Sequence, residues 1–480
     1  DLTALVYAGL MYKTGPGSYA PLLAENYTVS DDGKIYTFTL RDNLSFHDGN
    51  TLTADDVVFT IEAIKDPLLK SPRAINWQGV SVNKIDARTI QFTLSQAFAG
   101  FLDNATIGIL PEHIWGNLKP EEFTLSIFNA LPTGAGPYKV HDLAQTREGI
   151  PERYILRAFP DYALGKPYIR TLEYHFFPNE FELTQALING RVRAAHSLTP
   201  TQDMLNNREV LNHPSARLFG LFINTKNVEA FSNANVREAI SLAIDRNTLT
   251  RSVFDGYAQP ITQPLPLWMG SHSEASTHSI TRAQDILRNA GWSRNPESGI
   301  LATTEGDELS FRLATGNAPH LISTAEQIAT MLGEIGINVE VNIFASGQLT
   351  DDVIRTRSFD VLLFGQNINH DTNIYAFWHS SQREDPGLNI TGYTNPRADR
   401  LLADALAEND YSTRLRLYRT FANELADDGP VIYLYAPDSI YLAPEEVTIP
   451  RITLTQPHER FAFIHQWYMD TKRRWGTPTD

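Results

Sequence analysis

The chain has 480 residues, of which 42% are hydrophobic and 10% aromatic, and its formal net charge is -16. This length exceeds what one hydrophobic core ordinarily organises, so two or three domains are expected. The absence of cysteine excludes disulfides, thiol nucleophiles and cysteine-ligated metal sites, and the acidic balance opposes binding to nucleic acid or anionic lipid.

The first 150 residues predict a compact segment of mixed helices and strands. Residues 34–41 alternate apolar and polar side chains, as a half-buried strand does. Thr53 is followed by Asp55 and Asp56, which predicts a helix start because a hydroxyl caps the first turn and the helix dipole favours acids there. Capping explains these two adjacent acids better than acid–base catalysis does. A further strand is predicted over 88–94.

Helices are predicted for much of the stretch between residues 235 and 291. Asn235 is predicted to cap one helix and Asp245 the next. A rigid, proline-rich segment then leads to Trp268. The helix over 281–290 is predicted to end at Gly291.

Residues 309–364 predict three strands separated by two helices. The strands cover 309–314, 337–344 and 359–364, and the helices cover about 322–332 and 348–357. This order implies a parallel sheet with right-handed crossovers. Because the carboxyl ends of parallel strands meet at one edge, residues 315–317, 345–347 and 365–371 are expected to gather there.

The strand at 359–364 is the centre of the candidate site. Its apolar run stops at Gly365, and polar and aromatic side chains follow: Gln366, Asn367, Asn369, His370, Asp371, Tyr375, Phe377 and Trp378. A buried strand that opens into such a loop is how an α/β sheet presents a ligand site at its carboxyl edge. The alternative is that this is an ordinary connecting loop and that the aromatic side chains belong to the core.

The remaining elements are two amphipathic helices and one strand. The helices are predicted over about 396–409 and 412–427, and a buried strand over 431–435. No internal repeat or low-complexity linker interrupts the chain. No run approaches the ~20 apolar residues of a membrane span, and an export signal removed before Asp1 would leave the same sequence.

Short motifs spread over most of the chain carry a family resemblance. They are Pro21-Leu-Leu-Ala-Glu25, Ser30-Asp-Asp-Gly33, Phe46-His-Asp-Gly49, Ile109-Leu-Pro-Glu-His113, Gly134-Ala-Gly-Pro-Tyr138, Gly165-Lys-Pro-Tyr-Ile169, the stretch 222–246 and Gly392-Tyr-Thr-Asn395. In this order they resemble the peptide/nickel class, family 5, of ABC-transporter solute-binding proteins, in particular the dipeptide- and oligopeptide-binding proteins.

The resemblance implies an α/β fold with two lobes, like that of periplasmic binding proteins. Mixed sheets flanked by helices and a ligand cleft between the lobes are expected. Lobe I would comprise residues 1–30, 151–226 and 431–480, with 31–150 inserted as an α+β subdomain, and lobe II would comprise 227–430. Closure of the lobes would hold the ligand.

The resemblance also places the ligand contacts. In peptide binders of this family the loop after the strand at 359–364 carries an aspartate that pairs with the ligand's amino terminus; here that position falls on Asn369, with Asp371 two residues further on. No arginine occurs in 315–320, where some dipeptide binders hold the ligand's carboxylate. The expected ligand-binding residues are Asn369, Asp371, Asn367, Gln366, Trp378, Tyr375, Asn224, Trp268 and Arg357.

The sequence offers little support for catalysis. It contains no Gly-x-Ser-x-Gly elbow, phosphate-binding loop or His-Glu-x-x-His motif. His370, Asp371 and His379 could contribute metal ligands, but no regular spacing supports a metal site. We therefore expect neither an enzyme nor a cofactor.

The most consistent interpretation is the substrate-binding component of an ABC importer. It would be periplasmic or extracellular, tethered at the cell surface as a lipoprotein, and monomeric, and it would deliver a short peptide to membrane permease subunits. No nucleic acid is expected among its partners. One alternative keeps the fold but changes the cargo to a sugar, a metal chelate or a modified peptide. Another is a carboxylate-dependent hydrolase, which would need two facing acids with a raised pKa on one.

Overall fold

The computed structural model describes residues 1–71, 73–98, 100–196, 200–270, 278–368, 373–408 and 410–469. The strands are β1 (Met11–Gly15), β2 (Ser18–Pro21), β3 (Ala24–Val29), β4 (Ile35–Leu40), β5 (Val80–Lys84), β6 (Thr89–Leu94), β7 (Tyr138–Gln145), β8 (Pro151–Ala158), β9 (Thr171–His175), β10 (Ala195–His196), β11 (Arg208–Pro214), β12 (Arg217–Ile223), β13 (Ala258–Pro260), β14 (Ser293–Arg294), β15 (Leu301–Ala302), β16 (Ser310–Gly316), β17 (Asn338–Phe344), β18 (Val361–Asn367), β19 (Val431–Pro444), β20 (Val447–Thr448) and β21 (Tyr468–Met469).

The helices are α1 (Leu2–Val6), α2 (Ala54–Lys65), α3 (Phe101–Asn104), α4 (Glu112–Trp115), α5 (Pro120–Phe123), α6 (Glu180–Ile188), α7 (Ala234–Ala243), α8 (Arg246–Phe254), α9 (Ile280–Asn289), α10 (Pro319–Glu334), α11 (Ser346–Gln348), α12 (Asn373–Trp378), α13 (Pro396–Ala407) and α14 (Tyr411–Asp428). Among the described residues, none of these helices is both long and apolar enough to span a bilayer.

The chain forms two compact units. The first comprises Asp1–Leu211 and Ile440–Asp480, and the second comprises Asn212–Ser439. These bounds differ from the crossings expected at 226/227 and 430/431, which remain a prediction for the lobes. The physical reason for the difference is strand pairing: β12 and the start of β19 lie side by side in the sheet of the second unit, so both belong to it.

In the first unit, a four-stranded sheet in the order β3-β4-β6-β5 forms a core with α2. The predicted strands at 34–41 and 88–94 are confirmed, as is the helix after Thr53, whose side chain forms a capping box with Asp56. The expected subdomain boundary at 150 falls in the turn between β7 and β8, which pair as a hairpin. The core around this sheet also includes Leu10 and Tyr162, so the segment 31–150 does not pack by itself.

In the second unit, helices cover both faces of one mixed sheet. The strand order is β19-β12-β18-β16-β17; β16 runs parallel to β17 and β18, whereas β12 runs antiparallel to β18 and β19. Side chains of α7, α8, α9 and α10 pack in the core on one face, and side chains of α12, α13 and α14 in the core on the other. The predicted parallel β-α-β-α-β unit is confirmed.

Three local predictions in the second unit are corrected. The cap of α7 is Asn233, which accepts a hydrogen bond from the N–H of Asn235. The segment Leu349–Ile354 is a π-helix rather than a regular α-helix. The third strand does not stop at Gly365, because β12 pairs with β18 without a break as far as Asn367.

Candidate functional site

The carboxyl edge of the parallel strands is the candidate site. Here β16 ends at Gly316, which pairs with Phe344 at the end of β17. The neighbouring strand β18 ends at Asn367. Because β12 is antiparallel, its first residue, Arg217, is the register partner of Asn367. In a sheet of this kind ligands bind beyond the carboxyl ends of the parallel strands.

The loop that follows β18 carries the two expected anchors of the ligand's positive end. Asn369 and Asp371 lie outside the described residues, and so does His370. The described chain before this loop ends at Ile368, which is buried and whose N–H donates a 2.8 Å hydrogen bond to the carbonyl of Ala216. Ile368, the last described residue before the loop, is therefore hydrogen-bonded to the residue that precedes β12.

Gln366 and Asn367 have different surroundings although they are neighbours on β18. Gln366 is buried, and its Oε1 accepts a 3.0 Å hydrogen bond from the hydroxyl of Tyr433. Full burial raises the pKa of Tyr433 well above its usual value, so this hydroxyl remains a donor. Asn367 is exposed to solvent. Of the two predicted contacts, Asn367 is the one that a ligand can reach directly.

Arg217 is a polar residue at this edge that the sequence did not indicate. Its guanidinium carbon lies 4.9 Å from the centre of the Phe219 ring, in a cation–π contact. Desolvation lowers the pKa of Arg217, and the main opposing influence is the phenol of Tyr435. The only hint in the sequence was an arginine that opens an otherwise apolar strand, a weak signal without knowledge of its neighbours.

His320, in the first turn of α10, lies near Arg217. Its ring meets the Phe219 ring edge-on at 5.9 Å. Burial lowers the pKa of His320, and the charge of Arg217 lowers it further. His320 is therefore neutral at pH 7, and Arg217 carries the positive charge of this group.

The aromatic residues among the expected ligand contacts are only partly at the surface. Trp378 is 1% exposed and stacks on Phe222 with ring centres 6.5 Å apart, so it is a core residue. Tyr375 is half-buried and stacks on His379 at 4.3 Å. Trp268 is also half-buried; within the described chain its indole N–H is buried without a hydrogen-bond partner.

Asn224 and Arg357 lie at the opposite end of the sheet. The Nδ2 of Asn224 donates a 3.0 Å hydrogen bond to the backbone carbonyl of Arg357, next to the first residues of β18. The Arg357 side chain donates to the carbonyl of Gly387 at 2.8 Å. Six strand residues separate this end from Asn367, a span of ~20 Å. The structure does not bring these two residues together with Asn367, because the antiparallel direction of β12 takes Asn224 to the amino end of β18. Their role as ligand contacts remains a prediction.

The described residues offer little else with catalytic or metal-binding chemistry. Within them, no group of three or more histidine, aspartate or glutamate side chains is placed to hold a metal ion. His379 accepts a 3.1 Å hydrogen bond from the N–H of Ser381 and caps a short turn. The two adjacent acids of α2 have structural partners: Asp55 pairs with Lys84, and Asp56 is in the capping box.

Proteins of known structure and function resemble this chain over nearly its full length. It is 29% identical over 465 residues to the oligopeptide-binding protein AppA of Bacillus subtilis, covering 93% of this chain and 83% of AppA. The structure of AppA in complex with a nonapeptide has 26% identity and a TM-score of 0.72, and the match covers 98% of this chain and 94% of the AppA chain in that structure. NikZ from Campylobacter jejuni in complex with Ni(L-His) has 26% identity and a TM-score of 0.75, with coverage of 97% and 94%.

These relatives are two-lobed binding proteins, which agrees with the mixed α/β architecture described above. Residues 18–385 match the family described as bacterial extracellular solute-binding proteins, family 5 Middle. Because that match spans most of the 480 residues, the chain belongs to the family 5 extracellular solute-binding proteins.

Proposed function

We propose that this solute-binding protein captures a short peptide and delivers it to the permease subunits of an ABC importer. The observation that carries the proposal is its likeness, over almost the whole chain, to AppA, whose name and structure describe an oligopeptide binder and a nonapeptide complex. In this proposal the protein is exported, tethered at the cell surface and monomeric.

The chemistry of the sheet edge is compatible with a peptide ligand. A peptide presents an ammonium, a carboxylate and a series of backbone donors and acceptors. Each polar group left unpaired on burial costs about 1–3 kcal/mol. Arg217 offers a positive charge and Asn367 an amide that can both donate and accept at the same strand ends. The sequence-based assignment of Asp371 and Asn369 to the ligand's amino end remains a prediction.

The side chains of a peptide ligand need fewer specific contacts with the protein than its main chain does. Extended peptides can be held through their main chain, with their side chains in roomy and hydrated pockets. Such a site selects for length and for the terminal charges rather than for sequence. We therefore expect the protein to bind peptides of varied sequence.

A metal chelate is the second candidate cargo, because NikZ, which is similarly related, was crystallised with Ni(L-His). A nickel–histidine complex also presents a carboxylate, so the same edge suits both ligands. The two candidates differ in whether binding needs a metal. A hydrolase has no comparable support, since the relatives described above are binding proteins.

Mass spectrometry of small molecules released from the purified protein tests the proposal directly. We expect short peptides of mixed sequence, and we expect calorimetric titration with a synthetic library of short peptides to show saturable binding. The control is the same titration with nickel and histidine. Saturable binding of nickel–histidine without any response to peptides would mean that the cargo is a metal chelate and not a peptide.

A further inference from the structure

Arg217 lies at the candidate edge, and no acidic partner for it occurs among the described residues. It is the first residue of β12, it pairs in register with Asn367, and it lies beside the carboxyl ends of the parallel strands. Alternate residues of β12, among them Phe219 and Leu221, point into the core that α10 covers. Arg217 therefore projects from the α10 face of the sheet at the edge where ligands of such sheets bind.

The Arg217 side chain is exposed to solvent and packs on an aromatic ring. It lies over the Phe219 ring, which itself stacks on Tyr435 with ring centres 5.1 Å apart. On the neighbouring strand, Gly365 leaves the necessary room: a β-carbon there would come within 2.9 Å of the Arg217 Nε and 2.8 Å of the Phe219 ring. A guanidinium held on an aromatic face loses little further freedom when it binds a ligand.

Three other arginines of the second unit donate hydrogen bonds to groups of the protein. Arg312 forms a two-pronged ion pair with Asp360 at 3.0 Å. Arg246 is buried and donates to the carbonyl of Tyr433 at 2.7 Å, and Arg237 donates to the carbonyl of Gly429 at 3.1 Å. For Arg217, by contrast, no carboxylate in the described part of the chain influences the guanidinium, and its neighbour His320 is neutral.

We propose that Arg217 binds a carboxylate of the ligand at this edge, with Asn367 hydrogen-bonding beside it. The planar guanidinium can donate two parallel hydrogen bonds to a carboxylate. It thereby supplies from β12 the positive charge that the sequence does not provide at 315–320. This inference rests on the proposed function, and for a peptide the carboxylate is the one at its carboxyl terminus.

Paired peptide libraries test the proposal. The wild-type protein and the variant Arg217→Gln are titrated with a synthetic library of short peptides in two forms, with a free carboxyl terminus and with a carboxyl-terminal amide. We expect the wild-type protein to bind the free-acid form ~10–100-fold more tightly, as is typical of a hydrogen-bonded charge pair. In Arg217→Gln this preference should disappear, whereas affinity for the amide form should change little.

Two further variants separate charge recognition from structure. Arg217→Lys keeps the charge without the planar fork and should retain part of the preference. Arg288→Gln removes an exposed arginine that pairs with Asp285 on α9 and should retain all of it. If Arg217→Gln prefers the free-acid form as strongly as the wild-type protein does, the role of Arg217 is refuted. If the wild-type protein binds both forms equally, recognition of the carboxylate is refuted. Binding of neither form by the wild-type protein would instead refute the peptide ligand, and this inference with it.

Discussion

Asp360 and Arg312 form the best-defined ion pair at the amino end of the central strands. The guanidinium donates two 3.0 Å hydrogen bonds to the carboxylate, and the N–H of Arg312 donates a third of the same length. Burial alone would raise the pKa of Asp360, but these hydrogen bonds and the charge of Arg312 lower it below its usual value. The pair therefore favours the ionised acid in the folded protein.

We predict that Asp360→Asn lowers the free energy of unfolding by about 1–2 kcal/mol at pH 7. This loss is smaller than that for a fully buried ion pair, because Arg312 is largely exposed to solvent. A folded-state pKa below the unfolded one stabilises the protein above pH ~4, and this contribution is lost as the pH falls through the folded-state pKa. The difference between wild type and variant should therefore shrink in acid. Urea unfolding of wild type and variant at pH 7 and in acid measures this difference.

The matched control for this prediction is Asp285→Asn, which removes the acid of an exposed pair with Arg288 on α9. Exposed pairs contribute little, so the control should change stability by less than about 0.5 kcal/mol. A pH-independent loss in Asp360→Asn would show that the carboxylate charge is not the cause.

At the scale of the element, β18 depends on a glycine. Gly365 lies between the apolar run of the strand and its polar end, and the Phe219 ring and the Arg217 side chain occupy the space beside it. Both residues come from β12, the antiparallel neighbour. A side chain at this position would displace the aromatic support of Arg217.

We predict that Gly365→Ala destabilises the protein by about 1–3 kcal/mol through overpacking and also weakens ligand binding. Gly333→Ala is the matched control, because this glycine lies in α10 with no atom within 4 Å of the added carbon. Alanine favours a helix over glycine, so the control should gain about 0.5–1 kcal/mol. Thermal unfolding and peptide titration of both variants measure the effects. If Gly365→Ala is destabilised but binds peptide as the wild-type protein does, Gly365 has no part in ligand binding.

The regular elements of the second unit could be predicted from the sequence because hydrophobic periodicity and end signals are local. The buried strand at 359–364 and the helix before Gly336 are examples. The end of β18 could not be predicted, since Gly365 to Asn367 pair with β12, about 150 positions earlier in the chain. Arg217 was missed for the same reason: its importance depends on Phe219, Gly365 and His320, which only the folded sheet brings together.

For the whole molecule, the sequence predicts two lobes, and the two compact units of the fold have other bounds than these predicted lobes. The family resemblance predicts crossings at 226/227 and 430/431, whereas the compact units divide at 211/212 and 439/440. A strand that pairs with strands of both units cannot be assigned to one unit from its own sequence. The long strand β19 has this property, since it pairs with β10 in the first unit and with β12 in the second.

The two units have separate hydrophobic cores, so we predict two transitions in differential scanning calorimetry of the unliganded protein. A ligand at about 100 times its dissociation constant stabilises whatever it binds by about 2.7 kcal/mol. If the peptide is held by both units, as the family resemblance implies, both transitions should shift to higher temperature or merge.

The variant Arg217→Gln provides the control, because it alters only the candidate edge of the second unit. At the same peptide concentration its shifts should be smaller for a free-acid peptide, whereas its transitions without peptide should stay close to those of the wild-type protein. A peptide that raises only the transition of the second unit would show that this unit holds the ligand alone. That result would contradict capture by closure while leaving the role of Arg217 intact.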